Sequence, residues 1–93
     1  MRQVVSLAES VSWVVDAAQT IVVNELQRQV HTLTGEERVV WDWLVLGYPF
    51  TRMARMLAAM SSVTVTQGEA ELAEIIHRWN AAGLLEIAEQ TNG

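Results

Sequence analysis

From residue 11 to residue 33 apolar and polar side chains alternate with a period near two, and β-branched residues recur throughout. Residues 11–15 predict a strand and 16–19 its turn. Residues 20–24 predict a second strand, 25–28 a second turn, and Gln29 to Leu33 a third strand. Strands this short and closely spaced pair as an antiparallel meander. A three-stranded sheet with one apolar face needs a helical layer to cover it. Residues 1–10 show no clean period and read as a lead-in.

The period changes at Thr34. Thr34-Gly35-Glu36-Glu37 has the form of a capping box, with Thr34 accepting from the amide three residues on and Glu37 reaching back. The helix it opens runs to about Leu46, with Val40, Trp43 and Leu44 on one face and Gly47 as its stop. Pro49 marks the start of a second helix, where its missing donor costs nothing. Phe50, Met53, Ala54 and Leu57 then fall at i, i+3, i+4 and i+7, and the helix ends near Met60. Residues 61–65 are poor helix formers and read as a connector. A second box, Thr66-Gln67-Gly68-Glu69, predicts the last helix. Leu72, Ile75, Ile76 and Trp79 are its buried face and Gly83 its end. The apolar run Leu84-Leu85-Glu86-Ile87 packs back on the core, and the residues from 88 on read as a flexible tail.

Three N-terminal antiparallel strands followed by three helices make an α+β fold of winged helix-turn-helix type. Several short motifs in this order resemble the PqqD-like family, the RiPP recognition elements. Val22-Val23-Asn24, Arg28, His31 and Leu33-Thr34 follow that family's apolar pair with an acid or amide, its turn, its aromatic or His, and its Leu-Asn pair. Thr34 stands where Asn is usual and still supplies a cap. Gly47 fits the end of the first helix, and Glu71-Leu72 with Gly83-Leu84-Leu85 fit the last. The resemblance spans roughly residues 11–87. It implies a non-catalytic chaperone or adaptor without a cofactor, in the cytoplasm. Such domains bind the leader of a ribosomally made precursor peptide as a strand beside the third strand, leaning on the last helix. They present it to a maturation enzyme. Many such enzymes are radical SAM proteins, which makes one the expected partner; lasso-peptide proteases also occur.

Composition narrows the alternatives. Six Arg, no Lys and eleven acids give a net charge of −5. That balance leaves no basic face for non-specific nucleic-acid binding and disfavours an anionic membrane. With no Cys, thiol nucleophiles and Cys-ligated metals are excluded. The N-terminal residues have no long apolar stretch and do not form a secretory signal. A winged-helix regulator would read DNA with residues 69–82, which carry Glu69, Glu71 and Glu74 against one Arg, and phosphates repel that set. A purely structural subunit of a larger enzyme is not distinguished from the adaptor by fold or composition. An open sheet edge admits either a monomer or a dimer.

The candidate peptide site joins Arg28, Gln29, Val30, His31, Thr32 and Leu33 of the third strand to Ala73, His77 and Asn80 on one flank of the last helix. A sheet edge offers unpaired main-chain groups, and an added peptide completes it. His31 and His77 are the only histidines; neither has a partner at metal or general-base spacing. Trp41, Val45 and Tyr48 form a second apolar stripe on the first helix. Either that helix is buried on two sides or the stripe docks a partner enzyme. Arg52 and Arg55 point away from the apolar face of their helix.

Overall fold

The computed structural model describes residues 2–90. The order is β1 (Arg2–Leu7), β2 (Val11–Asp16), β3 (Gln19–Asn24), β4 (Gln29–Leu33), α1 (Gly35–Val45), α2 (Phe50–Ser61), α3 (Val65–Ala81) and β5 (Leu85–Gln90). The expected α+β architecture is present, with a meander ordered β2-β3-β4 and then three helices.

The two ends of the chain differ from the sequence reading. The expected lead-in contains β1 and the expected tail contains the second half of β5. The two strands pair antiparallel from Leu7↔Leu85 to Arg2↔Gln90 as a second sheet. Their pairing partners lie at opposite ends of the chain, so neither shows a local signal. Residue 1 and residues 91–93 lie outside the described residues.

The meander matches its pattern closely. Asp16 and Gln19 pair across a two-residue turn in which Ala17 is left-handed at φ 53°, as such hairpins require. Thr20, Val22 and Asn24 turn one face of β3 into the core and are fully buried. The helices complete that core. Trp41 lies between Trp13 and Trp79, edge-on to both, with ring centroids 5.9 and 5.4 Å away. Each such pair adds about 0.5–1.5 kcal/mol beyond area burial.

Both capping boxes needed correction. Thr34 is the N-cap of α1 but makes no side-chain cap bond. Gly35 stands at φ +59°, outside the helical region, and Glu37 is instead drawn into an ion pair with Arg78 at 2.9 Å. The box of α3 forms two residues earlier than expected, at Thr64. The Gln67 amide donates to Thr64 Oγ1 (3.2 Å) and the Thr64 amide donates to Gln67 Oε1 (3.0 Å). That frame places Gly68 inside the helix, buried against α2. All three helices end in the same motif. The amides of Tyr48, Val63 and Leu84 reach back to the carbonyls of Trp43, Ala58 and Trp79, around left-handed Gly47, Ser62 and Gly83.

Candidate functional site

β4 is an edge of its sheet, and one hydrogen bond fixes which of its main-chain groups are free. The Glu25 amide donates to the Ser10 carbonyl at 3.0 Å. Bonded and non-bonded pairs alternate along an antiparallel ladder. The next pair, Val11↔Asn24, is therefore non-bonded between β2 and β3, and the Asn24 main chain turns toward β4. The register Asn24↔Gln29, Val22↔His31 and Thr20↔Leu33 then commits Gln29, His31 and Leu33 to β3. Val30 and Thr32 direct their N–H and C=O groups to the open edge.

Side chains alternate in the same rhythm. His31 and Leu33 share the helix-facing side with Val22 and Thr20. Leu33 is buried in the core, and its main chain is committed to β3. His31 is half-buried, with Nε2 shielded from solvent and without a hydrogen-bond partner among the described residues. Val30 and Thr32 are exposed on the opposite face. Arg28 and Gln29 are exposed at the β3–β4 turn, with Arg28 left-handed at φ 54°.

α3 is tied to the first turn of α1, which follows β4, and to the end of β3. Near the end of β4, Arg78 pairs with Glu37, and Glu71 meets Glu36, both in the first turn of α1. At the other end Asn24 Nδ2 donates to the Gly83 carbonyl at 3.1 Å. The contact between the two carboxyls holds the Glu36 pKa below its ordinary value, helped by the Ser61 hydroxyl donating at 2.8 Å. The same contact raises Glu71, aided by burial and the charges of Glu36 and Glu74. One proton shared between the two carboxyls accounts for both directions.

The flank of α3 that makes these contacts is the one carrying Glu71, Arg78 and Ala82. Ala73, His77 and Asn80 are exposed on the other flank of its buried stripe. The Glu71–Arg78 side is thus the flank turned toward the first turn of α1, which follows β4 directly. The helical period separates the two flanks but does not say which one faces α1; the partners of Glu36 and Glu37 decide that.

The stripe on α1 also resolves. Trp41 is fully buried and is not available to a partner, because it fills the space between Trp13 and Trp79. Val45 is 43% exposed. Tyr48 is half-buried, with the Arg52 guanidinium 4.2 Å from its ring centroid.

A cavity of about 250 Å³ is lined by Asp16, Ala17, Ala18, Gln19 and Thr34 at the β2–β3 turn. Asp16 is its only ionisable side chain, and there is no nucleophile–base pair. Among the described residues no cluster of three or more His, Asp or Glu could hold a metal, and no helix is long and apolar enough to cross a membrane.

The sequence matches no protein-family model and no curated protein. The fold does match solved structures. One is TbiB1 in complex with the TbiA(beta) leader peptide, with a TM-score of 0.83 at 15% identity over 91% of this chain and 99% of that one. Another is a lasso peptide synthetase B1 complexed with the leader peptide, with a TM-score of 0.80 at 15% identity over 88% of this chain and 96% of that one. Both shares exceed what residues 11–87 alone make up, so the common fold takes in part of the β1–β5 sheet. At this identity the likeness is one of fold, and the fold of this chain is that of small proteins solved with a leader peptide bound.

Proposed function

We propose that this chain is a RiPP recognition element. It binds the leader of a ribosomally made precursor peptide by strand addition at β4 and presents it to a maturation enzyme, itself doing no chemistry. The observation that carries this reading is the open β4 edge. Val30 and Thr32 supply two rungs of unpaired main-chain groups there, and α3 is anchored to the end of the adjoining strand β3 and to the turn of helix that follows β4. Two chains of the same fold were solved with leader peptides, which supports the assignment.

In this reading the leader lies between β4 and the Glu71–Arg78–Ala82 flank of α3. Its side chains alternate between the outer face, beside Val30 and Thr32, and the helix side, beside His31. There the unpartnered His31 Nε2 takes a hydrogen bond from the incoming strand. The partner enzyme is a radical SAM protein or a leader protease. The unit that binds is residues 11–87, braced by the β1–β5 sheet. A DNA-reading role for α3 is opposed by exposed Glu69 and Glu74 on that helix.

The test is a titration of the cognate leader, as a synthetic peptide without its core, into the isolated chain. Ordering a flexible peptide offsets part of the contact energy, so the Kd falls on the order of nanomolar to micromolar. Amide resonances of Val30 and Thr32 shift most. No heat and no shifts at high micromolar leader would overturn the assignment.

A further inference from the structure

Charge is unevenly distributed along this chain. Residues 43–68 contain two charged side chains, Arg52 and Arg55, and no acid, so all eleven acids of this chain of net charge −5 fall outside the segment. The segment is the end of α1, the corner that follows, all of α2 and the start of α3. Both arginines are exposed on the solvent side of α2, and among the described residues neither has a carboxylate partner. The Arg52 guanidinium is held over the Tyr48 ring, 4.2 Å from its centroid, and is thus pre-oriented before any partner arrives. Beside it the corner exposes Val45 (43%), Leu46 (64%) and Phe50 (38%). Aromatic and aliphatic side chains with arginine at their centre are the composition of binding hot spots. Guanidinium is also the weakly hydrated cation that suits a desolvated carboxylate pair.

We propose that this α1–α2 corner is the docking surface for the maturation enzyme, and that the enzyme meets it with an acidic rim around an apolar pocket. The inference rests on the adaptor reading and names its second face. The position suits an adaptor. α1 begins directly after β4, and its eleven residues carry the corner roughly 16 Å away at 1.5 Å per residue. A leader lying on β4 therefore leaves the corner uncovered. The sign of the charge is what selects the occupant. A cationic patch on an otherwise acidic molecule repels little and attracts carboxylates.

The experiment uses the purified maturation enzyme that processes the same precursor, immobilised, with the full chain as analyte at low and high salt. A parallel leader titration is run on every variant. Wild type binds the enzyme, more weakly as salt rises. The Arg52→Glu/Arg55→Glu double variant loses at least tenfold in affinity, and Phe50→Ser does likewise. Leader affinity stays within about twofold in both, because the three positions are exposed residues of α2 and lie outside both β4 and α3. The charged positions are exposed, so the double variant keeps its cooperative melt. Enzyme binding by the folded double variant equal to wild type would overturn the proposal. So would leader binding with no enzyme binding in wild type. Loss of enzyme binding in the variants with no leader binding in any form supports the docking surface and refutes the leader reading. Two other outcomes overturn it in favour of a different occupant: self-association, or adsorption to phosphatidylserine vesicles, that the double variant abolishes while enzyme binding persists.

Discussion

Asn24 donates its side-chain amide to the Gly83 carbonyl at 3.1 Å, joining the middle strand of the meander to the end of α3. The same side chain contacts the Ala82 carbonyl at 3.5 Å, and its Oδ1 accepts from the Gln27 amide at 3.1 Å and the Ser10 hydroxyl at 3.5 Å. A buried amide with every bonding direction used holds four segments in one geometry. Asn24→Ala leaves the Gly83 carbonyl and the Gln27 amide without their partner. Stability falls by about 2–3 kcal/mol, the cost of stranding buried polar groups. Urea unfolding measures it, as a lower midpoint at unchanged m-value.

Gly68 allows α2 and α3 to touch. A Cβ placed there would lie 2.6 Å from the Ala54 carbonyl oxygen and 2.8 Å from the Ala58 Cβ. Inside a helix, Gly to Ala ordinarily gains about 1 kcal/mol. Here the obstacle is backbone, which cannot rotate away, and overpacking costs about 1–3 kcal/mol. Gly68→Ala therefore lowers the melting temperature. An unchanged or higher melting temperature would mean that the helices have room to separate.

The Glu36–Glu71 contact gives stability a pH dependence whose sign follows from the two shifts. Glu71 is raised in the folded chain, so its contribution is fully present below its unfolded pKa and is lost as pH rises through the folded value. Glu36 is lowered, so its contribution is present above its unfolded pKa and is lost as pH falls through the folded value. Stability thus peaks in the carboxylate range, where one proton is shared, and declines toward neutral pH. Glu71→Gln replaces the shared proton with a permanent amide donor. The variant is more stable than wild type at pH 7 by a few tenths of a kcal/mol, the scale of solvent-screened pairs, and the decline toward neutral pH disappears. Melting curves between pH 4 and 8 (a span set by the carboxylate and neutral ranges) test both parts.

The meander was legible because its strands pair with sequence neighbours, so alternation and turns lie side by side in the chain. The buried face of α3 was legible for the same local reason: Leu72, Ile75, Ile76 and Trp79 are all in the core, whereas on α1 Trp41 is buried rather than Trp43 or Leu44, and on α2 Phe50 is exposed. What the sequence hid was pairing at a distance. β1 and β5 meet across the whole chain, and the Thr34 box yields to an ion pair with Arg78. The same limit applied at the candidate site. The strand edge was readable, but the α3 flank that meets α1 depends on Glu36 and Glu37 finding Glu71 and Arg78. Trp41 looked like one member of an outward stripe, and its two aromatic neighbours come from β2 and α3.

The ladder phase makes the last prediction specific to single amides. Thr32 directs its N–H outward and His31 bonds with Val22 of β3. Proline removes a donor and fixes φ, and is tolerated on an edge strand only where the N–H faces away from the sheet. Thr32→Pro therefore keeps a cooperative melt and removes one rung of the proposed peptide interface, lowering leader affinity about tenfold or more, the scale of one to two kcal/mol per lost bond. Thr32→Ala keeps the amide and stays within about threefold of wild type, an effect below 1 kcal/mol. His31→Pro breaks the β3–β4 ladder itself and costs about 2–3 kcal/mol of stability. Thermal melts and leader titrations on the three variants separate the effects. If Thr32→Pro folds and binds leader like wild type, the strand is not added at this edge. If Thr32→Pro unfolds while His31→Pro does not, the ladder has the opposite phase and the free amides belong to the other set of residues.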